Sequence, residues 1–410
     1  MDNLTENGKE IRVLYLTNTP IMGGTARILE SWLPLGPAHG IRGFVGVQRL
    51  SDFTRWLETQ EIAYTVNGMP WPSKWAALRS IWAAWRLARW ARQKGIDIIH
   101  FNEHNLYPFA VLLRRFLRRP VVCHVRFSVG AEFSRWAFGS KWRQPDALLW
   151  TSQQQKDDCF AAINGVVPAF RQHVIRLGVN LRAFGTLAEG REETRAGWDI
   201  RPHEIVIGTA CALRPIKRVH EFIELVARLA EKDARIVGLI AGNVVKGDES
   251  YRDQLVEQIQ KTGLGRRCRW LGHLEPIEPF HHALDVFVST SEYETFGNSV
   301  CEAMACRRAV AAYCGGSVHE VVGDTGRVVA TGDLRALTAA VAELVGNPEL
   351  RRYLGDLGRA RVAEHFSPVK SLQELRKVYL SLLDNHRRLR LSSREKASFA
   401  KMNESHKHNL

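Results

Sequence analysis

Two glutamates with seven residues between them, Glu294 and Glu302, stand in the run Ser289-Thr-Ser-Glu-Tyr-Glu-Thr-Phe-Gly-Asn-Ser-Val-Cys-Glu-Ala-Met-Ala305. Gly297 and Asn298 fall between them, where a helix is predicted to begin. A glycine at a helix N-terminus presents unpaired backbone N–H groups and the positive end of the helix dipole, a combination that suits a diphosphate. Glu294 ahead of the helix and Glu302 about one and a half turns into it would reach opposite ends of one extended ligand. Carboxylates accept hydrogen bonds from hydroxyls, so a sugar at one end and a ribose at the other make chemical sense. Taken alone, the run is equally a solvated acidic helix with an ordinary N-terminal glycine. A second run, Gly208-Thr-Ala-Cys-Ala-Leu-Arg-Pro-Ile-Lys-Arg-Val-His220, places Arg214 and Lys217 three apart in a loop between a strand and a helix. Two fixed cations there can neutralise a departing nucleoside diphosphate; by themselves they are also ordinary loop charges.

The elements that must position these side chains follow from the apolar pattern. Strands are predicted at Ile11 to Leu16, Gly43 to Val47, Ile96 to Phe101, Val121 to Arg126 and Ala147 to Thr151, with helices near 25–33, 52–59, 74–93 and 107–118. After Val174 to Phe184, a strand running into a turn, the charged stretch Glu189 to Arg195 is taken as a linker. The alternation then restarts, with strands at Ile205 to Cys211, Arg235 to Ala241, Cys268 to Leu271, Val286 to Ser289, Ala309 to Ala312 and Gly326 to Ala330. Strands alternating with helices imply parallel sheets covered on both faces. The expected fold class is therefore α/β, with two Rossmann-like parallel-sheet domains facing across a cleft and ligands at the carboxyl ends of the strands. The expected domains are 1–187, 188–366, a helix over 367–386 packing back toward the first, and a basic, disordered tail over 387–410.

At 410 residues, 45% hydrophobic and 24% charged, the chain has the length and composition of a two-domain globular protein. Its polar, acidic start lacks the pattern of a secretory signal, and the apolar run after it is too short to span a bilayer. A cytoplasmic location follows as the expectation. The seven cysteines form no CxxC pair, and their odd number argues against a full disulfide framework. No DxD motif and no His/Asp cluster with ligand spacing occurs, so no metal site and no cofactor are expected.

The net charge of +14 is uneven. Between Trp71 and Arg143 fourteen Lys or Arg stand against three acids, a net +11. Within that segment, residues 73–92 predict a helix with Trp75, Leu78, Trp82 and Trp85 along one stripe, bordered by Arg79, Arg86 and Arg89. Trp with Arg in this arrangement suits the headgroup layer of an anionic membrane on the inner face of the cell. Equally, the tryptophans could pack under the sheet.

Taken together, the Gly23-Gly24 loop, the strand carrying His124, the Arg214 and Lys217 loop, the glutamate pair and the following Gly315-Gly316 and Glu320 resemble the GT-B-type retaining glycosyltransferases of family four, the group 1 glycosyl transferases. The resemblance covers nearly the whole chain. It implies that Glu294 contacts the donor sugar, Glu302 the ribose hydroxyls, and Arg214 and Lys217 the diphosphate. Gly23 and Gly24, with Phe296, Gly297 and Asn298, would complete the donor site, and His124 would lie close to the transferred sugar. The implied catalytic set is Glu294, His124, Arg214 and Lys217. The implied activity is transfer of a hexose or N-acetylhexosamine from a UDP- or GDP-sugar to a glycan or lipid-linked acceptor. The anomeric configuration would be retained, with the leaving diphosphate itself helping to deprotonate the acceptor. The sequence departs from the family at Arg307, Arg308 and Ala309, where glycine and then proline are usual, and at Arg218, where glycine is common. His124 is followed by Val125 and Arg126 rather than by a polar or acidic residue. The competing readings are a sugar-nucleotide epimerase of the same fold and a non-catalytic membrane- or RNA-binding scaffold. No RNA-binding motif is present, so no nucleic-acid partner is expected. A dinucleotide oxidoreductase is disfavoured because Gly23-Gly24 is not the spaced triple glycine.

Overall fold

The structure is a computed structural model that describes residues 10–18, 24–70, 77–185, 190–245 and 247–407. It divides into two compact units: residues 1–151, 159–175 and 369–410 form the first, and residues 152–158 with 176–368 form the second. The sequence places the division near 187, but the chain after Ile175 and the short excursion Ser152–Asp158 both belong to the second unit.

In the first unit seven parallel strands, β1 (Ile11–Thr17), β2 (Ile41–Val47), β3 (Tyr64–Val66), β4 (Ile98–Phe101), β5 (Val121–Val125), β6 (Ala147–Trp150) and β7 (Gln172–Val174), are ordered β3-β2-β1-β4-β5-β6-β7. The central strands are buried along their whole length, as largely apolar runs require when both faces are covered. β3 is not foreseen by the sequence, since it is a three-residue, half-buried edge strand with no apolar run of its own. Right-handed crossovers put the helices after β3 on one face of the sheet. There Ala83, Ala84, Leu87, Ala88 and Ala91 of the helix Ala77–Gln93 join Leu113, Phe138 and Ile163 in one apolar cluster with Leu16, Phe101 and Trp150. On the helix Pro368–Lys407, Tyr379 lies with its hydroxyl 2.6 Å from His100 Nδ1 of β4. That helix runs through the stretch expected to be a disordered tail from 387. Between Val369 and Lys407 there is neither glycine nor proline to stop it.

The second unit holds six parallel strands, β8 (Ile205–Ala210), β9 (Ile236–Ala241), β10 (Cys268–Gly272), β11 (Val286–Ser289), β12 (Ala309–Tyr313) and β13 (Arg327–Val329), ordered β10-β9-β8-β11-β12-β13. All six lie within a residue or two of the predicted spans. Among the helices of this unit that the sequence does not foresee, two bear on its packing. The stretch taken as a linker is the helix Arg191–Gly197, where Arg191 and Arg195 both bond Asp285, at 2.9 and 2.8 Å. The helix Pro348–His365 is obscured in the sequence by Gly355 and Gly358, which serve close packing: a Cβ at Gly355 would stand 2.2 Å from the carbonyl oxygen of Arg307.

Candidate active site

In both sheets the strand order reverses between the first strand and the one beside it, and loops diverge there to leave a crevice at the carboxyl ends. In the second unit that point lies between β8 and β11. β8 leads to Arg214–Lys217 and β11 to Thr290–Gly297, so two segments some seventy residues apart arrive side by side because of topology. They are laced together: Glu292 N donates to Ile216 O at 2.8 Å, and Thr290 Oγ1 to Lys217 O at 2.9 Å.

Lys217 Nζ then lies 2.6 Å from Glu294 Oε1, and Ser291 Oγ donates to the same oxygen at 2.7 Å. The side chains of Lys217 and Glu294 are 18% and 14% exposed, so the pair is sheltered but reachable. A third loop fixes the glutamate from behind. Glu294 N donates to Gly315 O at 3.3 Å, and Ser317 N to Glu294 O at 2.8 Å. Gly315 and Gly316 permit this approach. A Cβ on Gly316 would sit 2.3 Å from Glu294 O, and its φ of +58° is itself left-handed.

Gly297, with φ 92° and ψ 57°, turns the chain into the helix Asn298–Ala305. Glu302 on that helix is buried, with Oε2 3.4 Å from Nε2 of the fully buried His281. Phe296 is buried too, edge-on to Phe366 with ring centroids 5.5 Å apart, so its side chain props the loop. Arg214 does not join the Lys217–Glu294 pair: it is more than half exposed, and its Nε donates to Asp248 at 3.1 Å. Glu320 receives the backbone N–H groups of Gln153 and Gln154 and pairs with Arg176 at 2.9 Å, tying the excursion Ser152–Asp158 into this unit. Arg218 adopts φ +49° and Arg307 φ +59°, so both keep the left-handed turn for which glycine is the easier residue.

In the first unit His124 lies fully buried on β5, stacked on Trp32 at 6.0 Å and on His100 at 5.5 Å. Neither ring nitrogen has a hydrogen-bond partner among the described residues. Burial, then the charge of Arg126, holds its pKa well below the usual histidine value, so the ring is neutral. Sequence reasoning missed what surrounds it at the ends of β1, β4 and β5. Buried Arg126 donates through Nε to Asn102 O at 2.9 Å and through Nη2 to Asn102 Oδ1 at 2.6 Å. Glu103 accepts from Thr17 Oγ1 at 2.6 Å and from Asn18 N at 3.2 Å. Burial pulls the Arg126 guanidinium down to about 9, and Glu103 acts in the other direction. An arginine closing the apolar run Val121–Val125 was the available signal. Gly24 opens the helix Gly24–Leu35; Gly23 lies outside the described residues, as does Trp75.

The family model for glycosyl transferases group 1 matches residues 190–361, and that for glycosyltransferase family 4 matches residues 47–183. The chain belongs to the group 1 glycosyltransferases. This glycosyltransferase is 28% identical over 318 residues to the lipopolysaccharide core biosynthesis mannosyltransferase LpcC of Rhizobium leguminosarum, an alignment covering 77% of the chain and 85% of the relative. It is 25% identical over 298 residues to the glycogen synthase of Mycobacterium tuberculosis, covering 70% of the chain and 69% of that enzyme. Its fold matches the crystal structure of Anabaena HepE in complex with UDP and glucose, with TM-score 0.80 and 22% identity over 90% of this chain and all of that one. It also matches a glycosyltransferase of Rickettsia africae, with TM-score 0.81 and 17% identity over 92% of this chain and 99% of that one. Two parallel-sheet domains of GT-B type are thus its architecture. Among the described residues no three His, Cys, Asp or Glu side chains stand together as metal ligands, and no helix is long and apolar enough to cross a membrane.

Proposed function

We propose that this glycosyltransferase moves a hexose or N-acetylhexosamine from a UDP- or GDP-sugar to a glycan or lipid-linked acceptor, with retention at the anomeric carbon and without a metal ion. The observation that carries the reading is the Lys217–Glu294 pair at the β8/β11 switch point, beside the helix that Gly297 opens. The diphosphate would lie against the first turn of that helix, where backbone N–H groups and the helix dipole receive it. Lys217 would leave Glu294 for the phosphate oxygens, and Arg214 would swing from its exposed bond with Asp248 to join it. Their charges would stabilise the leaving group in the place of a divalent cation. Freed from the ammonium, Glu294 would accept hydroxyls of the sugar, while Glu302, steadied by His281, would accept those of the ribose. No side chain then serves as nucleophile, and the leaving diphosphate accepts the acceptor's proton. The UDP-bound neighbour and the lipopolysaccharide-core relative support a nucleotide-sugar donor and a glycan acceptor borne on lipid.

Association with an anionic membrane surface belongs to the same reading. The helix Ala77–Gln93 turns Ala83, Ala84, Ala88 and Ala91 inward and leaves Leu78, Trp82 and Trp85 84%, 57% and 42% exposed. Arg86 lies over the Trp82 ring at 4.7 Å and Arg89 over Trp85 at 5.9 Å. A face of this kind sits well among lipid headgroups, where its aromatic rings and cations are both satisfied. The test of the activity is a panel of UDP- and GDP-sugars incubated with lipid-linked core oligosaccharide in EDTA, the product's anomeric configuration being read by NMR. An α-donor giving an α-product in chelator supports the reading. An inverted product, or activity that returns only with magnesium or manganese, overturns that part of it.

A further inference from the structure

The second unit carries a basic pocket of about 300 Å³ that the donor site does not use, lined by Arg307, Arg308, Arg351 and Arg352 together with Asp285 and Asp356. Its charges do not cancel. Asp285 is taken up from outside the pocket, by Arg191 at 2.9 Å, Arg195 at 2.8 Å and the backbone N–H of Val206 at 2.8 Å. Asp356 pairs with Arg307 at 2.6 Å. Arg308 is held only by carbonyl oxygens, through Nε to Cys306 and Nη1 to Leu284, both at 2.8 Å. Arg351 likewise donates to Leu344 O and Val345 O, each at 2.7 Å. Arg308, Arg351 and Arg352 thus have no carboxylate partner among the described residues.

Asp285 acts on Arg308 but is shared with Arg191 and Arg195, so the guanidinium groups outnumber the carboxylates, repel one another and raise the free energy of the site until an anion enters. Burial, and then the charge of Arg191, draws Arg308 down to about 10, which leaves it protonated at neutral pH. The backbone points the same way. Arg307 holds φ +59°, a conformation that is costly for any residue but glycine, and Gly355 lets the helix Pro348–His365 close onto its carbonyl oxygen. That contact brings Arg307 and Arg308 against Arg351 and Arg352, on the first turns of the helix, where the dipole adds positive potential.

We propose that this pocket is a second anion site, distinct from the donor site, that binds a small phosphate-bearing molecule of diphosphate or hexose-phosphate size. Guanidinium forks match phosphate oxygens in pairs, and the cavity is roomier than a lone inorganic phosphate requires. The probe is inorganic pyrophosphate, titrated calorimetrically into wild type, Lys217→Ala, and the double variant Arg351→Gln/Arg352→Gln, with sodium sulfate at matched ionic strength as control. Lys217→Ala removes a phosphate contact of the donor site and should keep tight pyrophosphate binding at the second site. The double variant should lose about tenfold or more in that affinity while its UDP affinity stays within about twofold of wild type. Arg307→Gly provides a second variant should the double one fail to fold: it relaxes the turn, frees Asp356 to repel the anion, and should also weaken pyrophosphate binding. Pyrophosphate binding that vanishes in Lys217→Ala, that is unchanged in both arginine variants, or that sulfate reproduces in full overturns the proposal. Inorganic phosphate and glucose 6-phosphate, run in parallel, separate the diphosphate from the sugar-phosphate ligand.

Discussion

Replacing Glu294 with Gln should move donor binding and catalysis in opposite directions. The carboxylate holds Lys217 at 2.6 Å and takes the Ser291 hydroxyl at 2.7 Å, in a place where neither charged side chain is more than about a fifth exposed. On the proposed reading a nucleotide entering the site would first draw the ammonium away from this partner. A hydrogen bond between charged groups contributes about 1.5–3 kcal/mol. The neutral amide keeps the shape and an acceptor for Ser291, but removes most of that cost. UDP, or GDP if that is the base recognised, should therefore bind up to about tenfold more tightly to Glu294→Gln. On the proposed reading the same change withdraws the anion that would orient the sugar, so transfer at saturating donor should fall by more than about tenfold. Calorimetry of the nucleotide, with single-turnover transfer rates, separates the two effects. Affinity and rate falling together would refute the idea that Lys217 is exchanged between carboxylate and phosphate. An unchanged rate would remove Glu294 from the sugar.

Three further outcomes are expected. Gly316→Ala should destabilise the second unit by at least about 2 kcal/mol, because a left-handed backbone and a Cβ 2.3 Å from Glu294 O cannot both be relieved without moving that glutamate; urea denaturation with a parallel loss of transfer checks this. His104 is held by burial at a pKa of about 4 and is neutral in the fold. Because its folded pKa lies below the unfolded value of about 6.5, its site binds fewer protons than the unfolded chain, so stability is unaffected above that value and is lost as pH falls toward 4. At pH 5.5 the loss is about 1.4 kcal/mol from this one residue, and a His104→Phe variant should show a correspondingly flatter dependence in urea melts between pH 7.5 and 5.5. The outward face of the helix Ala77–Gln93 should bind anionic liposomes and release them as salt rises. Arg86 also bonds Val66 O at 2.7 Å, so Arg79→Gln, Arg89→Gln and Trp82→Ser are the cleaner changes, and sedimentation equal to wild type in the triple variant would remove this face from the membrane.

The sequence carried the parts of this architecture that depend on local pattern. Short, mostly apolar runs located all six strands of the second sheet, and the Gly297-Asn298 step marked the helix that Glu302 rides on. What was hidden depends on chain segments meeting from afar. Nothing near Glu302 announces His281, which comes from a different helix, and Ser291 gains its role only where its hydroxyl meets Glu294. Arg191 and Arg195 look like linker charges until Asp285 arrives beside them from ninety residues away. The tryptophan stripe was ambiguous for a simpler reason. Periodicity defines a helix face without saying which face is inward, and the alanines, small enough to let the helix lie close on the sheet, took the inner side. Arg307 marks the same limit in another form: a residue type unsuited to a left-handed turn gives no sign that the turn is kept.

The most direct test of the donor site is thermal unfolding of wild type and Lys217→Ala across a panel of UDP- and GDP-sugars, in EDTA. A ligand that binds only the folded state raises its stability by mass action, about 2.7 kcal/mol at one hundred times the dissociation constant. One nucleotide series should raise the melting temperature of wild type without added metal, and the shift should largely disappear in Lys217→Ala. Equal shifts in both proteins, or none in either, would contradict the proposed donor site.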